Sequence, residues 1–115
     1  MSLSPLEYLR HILDETEYLA EQTNVLRQEQ FLNDETAKQA FVRSIEIIGE
    51  TAKRVPLQMK QCYPDVEWRA MAGMRDKVVH RYFGVDYDIV WDVALNKTPL
   101  LRRQIDEMLR RESTS

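Results

Sequence analysis

The sequence predicts an all-α fold, an up-down antiparallel bundle of four to five helices built as one domain over residues 1–115. Three observations predict it. Apolar residues recur at spacings of three and four in several separate segments, the period of a helix with one buried face. Only three glycines occur, Gly49, Gly73 and Gly84, and no alternating apolar and polar run is bounded by hairpin turn signals. The connections between the periodic segments are short, which makes successive helices antiparallel neighbours. A chain of 115 residues has the size of one domain, and at that length folding buries roughly two-thirds of the unfolded surface.

Each element carries its own start and stop signals. Ser4-Pro5-Leu6-Glu7 reads as a capping box with proline in the first turn, and Leu6, Leu9, Ile12, Leu13, Leu19 and Ala20 carry an apolar stripe to about residue 21. The polar run from Glu21 to Asp34 breaks that period. Asn33 or Asp34 caps a second helix, on which Ala37, Phe41, Ser44, Ile45, Ile48, Ala52 and Val55 fall on one face until Pro56 interrupts it. A short helical piece continues to Cys62, and Tyr63-Pro64-Asp65 turns the chain into a third helix, about Val66 to Tyr82. Gly84 stops that helix, and Asp86 or Asp88 caps a fourth carrying Ile89, Val90, Val93, Ala94 and Leu95. Thr98-Pro99 restarts or kinks it, Leu101, Ile105, Met108 and Leu109 extend the stripe to about Arg111, and the final Glu-Ser-Thr-Ser frays.

Composition narrows the function classes. A hydrophobic content of 43% with 30% charged residues is that of a globular chain and not of a disordered one. No apolar run approaches the roughly 18 residues of a membrane span, and charge within the first turns differs from a signal peptide, so no membrane association is expected. The single cysteine, Cys62, can form neither an internal disulfide nor a zinc site, which fits a reducing cytoplasm. The net charge of −3 argues against a protein that coats nucleic acid, but residues 1–57 carry ten acids and six bases whereas 58–115 carry nine acids and ten bases. A polyanion site therefore belongs to the second half, as a local cleft.

Most catalytic signatures are absent: there is no glycine-rich phosphate loop and no metal-spaced Cys/His set, and His11 and His80 fall on different helices. Neither metal nor cofactor is expected. Interest falls on the third helix. Wound at 100° per residue, it places Met71, Ala72, Met74, Val78 and Val79 on one apolar arc with Arg75 in its middle, where a desolvated charge costs several kcal/mol (roughly) unless it is paired. Asp76 and His80, four apart, share a flank where the carboxylate can fix the imidazole tautomer, and Arg75 and Tyr82, seven apart, lie within about 20° of each other.

Simpler roles stand beside these. Arg75 can be a structural arginine reaching Glu46 or Glu50, and His80 a favourable partner of a helix C-terminus. Tyr82 and Phe83 can close the bundle, and Trp68 and Trp91 belong to the core first. Met71 and Met74 are core or subunit interface, and His11 is a surface residue.

The run Met74-Arg-Asp-Lys-Val-Val-His-Arg-Tyr-Phe-Gly-Val-Asp-Tyr-Asp-Ile-Val-Trp-Asp-Val93, preceded by Ile47-Ile-Gly-Glu-Thr-Ala-Lys-Arg-Val55 and Tyr63-Pro-Asp-Val-Glu-Trp-Arg-Ala-Met-Ala-Gly-Met74, resembles the HepT-like family of the HEPN superfamily over nearly the whole chain. The superfamily mark is arginine, a polar residue, then histidine after four to six positions, here Arg75, Asp76 and His80. The Tyr-Phe-Gly, the aspartates and the Ile-Val-Trp that follow make the match specific. The family most often has asparagine where this chain has Asp76, and an acid there puts negative charge beside a phosphate.

The resemblance implies a HEPN-like bundle that forms a homodimer, bringing two copies of the motif to one cleft. It implies a metal-independent ribonuclease toxin acting on RNA, paired with an MNT-type nucleotidyltransferase antitoxin that modifies Tyr82 with AMP. An arginine within an apolar arc then has a reason: Met71, Val78 and Val79 meet the partner while Arg75 serves the shared cleft. Cleavage without metal needs a base for the 2′-hydroxyl, an acid for the leaving 5′-oxygen and a cation for the phosphorane, which two copies of His80 and Arg75 supply. The alternative is a catalytically silent bundle that binds, regulates or presents substrate to a nucleotidyltransferase.

Overall fold

Ser4 and Pro5 start the first helix as their chemistry dictates, the Glu7 N–H donating to the Ser4 hydroxyl oxygen at 3.3 Å while that hydroxyl donates to the Glu7 carboxylate at 3.1 Å. The computed structural model describes residues 3–114. Helix α1 runs Pro5–Val25, past the expected end, because the last turn is held by the Leu26 N–H on the Gln22 carbonyl. A short helix α2, Gln28–Leu32, forms inside the polar run that sequence reading left without structure. Asp34 then caps α3, Glu35–Arg54, by accepting from the Ala37 N–H at 3.0 Å, and Pro56 separates it from α4, Leu57–Cys62. Helix α1 lies against both α3 and α8, Thr98–Thr114, so these three long helices are the frame of the bundle.

The core is what the stripes predicted, except that Leu6, Leu13, Ala20 and Ile89 are only partly buried and Leu95, expected on the buried face of the fourth helix, is exposed on the π-helical turn. Leu9, Ile12 and Leu19 of α1 are fully buried against Phe41, Ile45 and Ile48 of α3 and Ile105 and Met108 of α8. Each such side chain contributes about 1.5–3 kcal/mol relative to exposure. A polar tie crosses this seam, the Ser44 hydroxyl donating to the Glu15 carboxylate at 2.5 Å. Five residues cannot hold a helix alone, and α2 is kept by Phe31, which lies 4.5 Å from Phe41 and 5.3 Å from Trp91 between ring centroids.

The expected third helix, Val66 to Tyr82, is not one helix. It breaks at Gly73 into α5, Trp68–Ala72, and α6, Met74–Val78. Gly49 of α3 explains the approach: a Cβ there would sit 3.2 Å from the Ala72 carbonyl oxygen, so the end of α5 packs directly on the α3 backbone and the chain turns before continuing. Helix α6 ends at Val78 because β-branched Val79 is extended, with φ −108 and ψ 115. A hairpin follows that the sequence reading did not foresee. Strands β1, Val79–His80, and β2, Gly84–Val85, pair antiparallel, with Val79 opposite Val85 and His80 opposite Gly84. The three-residue loop Arg81-Tyr82-Phe83 is closed by the Phe83 N–H on the His80 carbonyl at 3.3 Å, with Gly84 at φ +81, the left-handed position such loops require. The Asp86 N–H closes the hairpin base on the Val78 carbonyl at 2.8 Å, satisfying an orphan acceptor of α6.

A Cβ at Gly84 would meet nothing within 4 Å, so Gly84→Ala acts through backbone strain alone, about 1–2 kcal/mol. Faster amide exchange confined to residues 79–86, with the helices unchanged, is the expected result, and unchanged exchange there would show that the loop does not depend on glycine.

Asp86 caps α7, Tyr87–Asp92, accepting from the Ile89 N–H at 3.2 Å. As the Thr98-Pro99 signal indicates, α8 starts at Thr98 with Pro99 in its first turn, but no loop precedes it: the chain passes through a π-helical turn, Val93–Lys97, straight into α8. Pro99 has no N–H to give and its ring crowds the carbonyl four residues back, so the widened turn absorbs the proline while the Thr98 hydroxyl donates to the Ala94 carbonyl at 2.8 Å. Helix α8 continues through Thr114, supported by Arg110–Asp106 and Arg111–Glu107 pairs at 3.1 and 3.0 Å. Of the terminus expected to fray, Ser115 lies outside the described residues.

Candidate active site on helix α6 and its hairpin

The break at Gly73 decides where the motif side chains go. On a five-residue α6 only Met74 and Val78 turn into the core, and Arg75, Asp76 and Lys77 face outward. Arg75 is therefore not in the middle of a buried arc. Its side chain is 50% exposed, with Nε 3.9 Å from Glu46 Oε2 on α3 and Nη1 3.8 Å from Asp76 Oδ1. The Glu46 contact was one of the two simpler partners expected for it. Both contacts are long and wet, worth about 0–1 kcal/mol, so a phosphate can take the guanidinium from them.

Met71 and Val78 are 1% and 0% exposed and belong to the core of the chain itself. They are not surface for a partner in this structure. Val79, the third residue expected at a two-fold contact, is partly buried in β1.

His80 is on a strand, so the expected i,i+4 partnership with Asp76 is lost, and no hydrogen bond or ion pair joins them among the described residues. The same departure from the helix undoes the expected two-turn alignment of Tyr82 with Arg75. Tyr82 and Phe83 do not close the bundle; they are 81% and 90% exposed at the hairpin tip, and the Arg81 guanidinium carbon lies 5.5 Å from the Tyr82 ring centroid.

What His80 does join is a depression of about 390 Å³, walled by Leu32 of α2, by Phe83, and by Asp86, Tyr87 and Asp88 at the start of α7. Lys38 lies over the Tyr87 ring at 4.6 Å, and Gln28 Nε2 donates to Asp88 Oδ1 at 3.3 Å, so α2 and α3 brace this wall. Sequence reading gave Asp86 and Asp88 only a capping role and Phe83 a core one; their crowding into six residues after His80 was the available signal. A second groove, of about 400 Å³, lies along Met74, Lys77, Lys97 and Leu100 and contains no histidine, cysteine or hydroxyl side chain. An exposed imidazole beside a depression, with Arg75, Lys77 and Arg81 within five residues of it, can move protons at a phosphodiester. Among the described residues no three His, Cys, Asp or Glu side chains are grouped to hold a metal ion, and no helix is long and apolar enough to cross a membrane.

Comparison with known proteins points the same way. The family model described as "Ribonuclease HepT-like" matches residues 12–108. The chain is 44% identical over 109 residues to "Putative RNase TTE0752" of Caldanaerobacter subterraneus subsp. tengcongensis, covering 95% of this chain and 97% of that protein. It is 37% identical over 108 residues to "Probable ribonuclease HepT" of Thermococcus cleftensis, covering 94% and 98%. No solved structure matches. With the family model spanning most of the helical bundle and the hairpin that carries Arg75 and His80, the chain belongs to the HepT-like ribonuclease family.

Proposed function

We propose that the chain is an endoribonuclease toxin that cleaves RNA by internal transesterification in a cleft composed of two protomers. The observation that carries this is His80, exposed on the hairpin beside a depression, with three cationic side chains next to it in sequence. One copy of His80 takes the 2′-hydroxyl proton as that oxygen attacks phosphorus. The other copy gives a proton to the 5′-oxygen as its bond to phosphorus breaks, leaving a 2′,3′-cyclic phosphate and a 5′-hydroxyl. Arg75 from each copy stabilises the phosphorane charge. A single chain holds one histidine at this place, His11 being exposed on α1, so two copies are needed.

The two-fold contact is then made by the outer face of α6 and by Val79 at the start of the hairpin, with the rings at the hairpin tip left outside it, and the buried Met71 and Val78 support that face from beneath. The partner that silences the toxin is an MNT-type nucleotidyltransferase, and Tyr82, with its hydroxyl in water at the hairpin tip, is the acceptor for AMP. Added phosphate beside Arg75 and Arg81 repels RNA. One observation favours the silent-bundle alternative, the Arg75–Asp76 contact that partly neutralises the guanidinium.

The test is the purified chain on total RNA with excess chelator. Cleavage that persists and leaves cyclic phosphate ends is the expected result. Intact RNA, or products that form only with added divalent metal, would overturn this mechanism.

A further inference from the structure

The charge around His80 is divided. Arg75, Lys77 and Arg81 lie outside the lining of the 390 Å³ depression, whose carboxylates are those of Asp86 and Asp88. A phosphate would be repelled from such a depression. Yet its rim carries Phe83, the most exposed large apolar side chain of the described residues at 90%, held up by a hairpin whose geometry Gly84 sets. An aromatic face in water beside acceptors fits one part of a nucleotide, the base.

We propose that this depression is a nucleobase-reading subsite, in which Phe83 stacks on an unpaired base and Asp88, aided by Asp86, accepts hydrogen bonds from its amino edge. Asp86 uses Oδ1 on the Ile89 N–H, and Asp88 uses Oδ1 on Gln28, which leaves the second oxygen of each to the ligand. Ionised carboxylates only accept, so adenine and cytosine, which present an amino group between or beside ring nitrogens, are taken in preference to uracil, whose carbonyl oxygens face the same negative charge. The base enters the acidic depression while its phosphate turns toward the cations of α6 and the hairpin loop, an orientation that puts the sugar against His80. The ligand is thus single-stranded RNA, since a paired base presents neither its face nor this edge. This inference deepens the ribonuclease reading and rests on it for the identity of the ligand.

Binding of fluorescent 2′-O-methyl 12-mers of A, C and U, which offer no free 2′-hydroxyl to attack, tests it by anisotropy at one salt concentration. The full chain should bind the A and C oligomers about tenfold or more tighter than the U oligomer. Phe83→Ala should weaken A and C binding by about tenfold, the scale of one base–aromatic stack, with an unchanged unfolding midpoint. Asp88→Asn, which supplies a donor as well as an acceptor, should bring the U oligomer to within about threefold of the others. Equal binding of all three oligomers by the unaltered chain, or undiminished binding by Phe83→Ala, overturns the subsite. So does a dimer that falls apart in Phe83→Ala, because the ring then serves the second copy. Base preference that holds while the unaltered chain leaves total RNA intact keeps the subsite and removes only the ribonuclease activity.

Discussion

His80→Ala is expected to lower RNA cleavage by about 10²–10⁴-fold, the usual contribution of a positioned acid or base, with no change in the unfolding midpoint. The stability half of this expectation follows from position. The imidazole is exposed on β1, its side chain enters no hydrogen bond or ion pair among the described residues, and the strand pairing of His80 with Gly84 uses backbone alone. Arg75→Ala should act in the same range by removing charge from the phosphorane, and Arg75→Lys should recover little, since an ammonium does not reproduce a bidentate fork on two phosphate oxygens. The contacts Arg75 loses, at 3.8 and 3.9 Å and half in solvent, are too weak to unfold the bundle. In heterodimers mixing unaltered and His80→Ala chains, a composite cleft predicts loss of most activity, because base and acid come from different copies. Cleavage by the His80→Ala chain at the original rate would remove the motif from the mechanism altogether.

The frame of the fold was legible because its signals are local. Ser4 caps the helix it was expected to cap, Asp34 and Asp86 are the caps out of the expected pairs Asn33 or Asp34 and Asp86 or Asp88, and the stripes of α1, α3 and α8 are the buried faces. What sequence reading misplaced depends on contacts across the chain. Helix α2 exists because Phe31 reaches Phe41 and Trp91, ten and sixty residues away, and no local pattern in Gln28–Leu32 announces it. The split at Gly73 follows from the close approach of α5 to Gly49, a tertiary fact. The hairpin did leave traces, in the β-branched pair Val78-Val79 and in Gly84, but two residues per strand are too few to show alternation.

The site suffered from the same step. Arg75, Asp76, His80 and Tyr82 were picked out on a helical wheel before the family resemblance gave them roles, and that wheel was drawn on a helix that stops at Val78. Extending the wheel beyond that point put Asp76 under His80, and running it unbroken through Gly73 put Arg75 inside an apolar arc. A chain that leaves the helix at Val79 instead lifts His80 away from α6 and sets it against α7, and the acids at its side are Asp86 and Asp88.

Phe31→Ala is expected to destabilise the protein by about 3–5 kcal/mol, the cost of removing a fully buried aromatic ring whose space cannot refill. For a domain whose whole stability is about 5–15 kcal/mol, that is a large fraction. The loss should be concentrated, because Phe31 is the only fully buried residue of α2 and lies 6.5 Å from Tyr87 as well as against Phe41 and Trp91. Without it, five residues of helix have no packing to hold them. Leu32 then leaves the wall beside His80, and Gln28 no longer reaches Asp88. Phe31→Leu keeps most of the volume and should cost less than about 1.5 kcal/mol, with the wall retained. Denaturant unfolding measures the first effect, and amide exchange across residues 28–32 and 80–88 measures the second. A Phe31→Ala chain that unfolds at the original midpoint, or that loses stability without faster exchange around His80, would show that α2 does not brace the site.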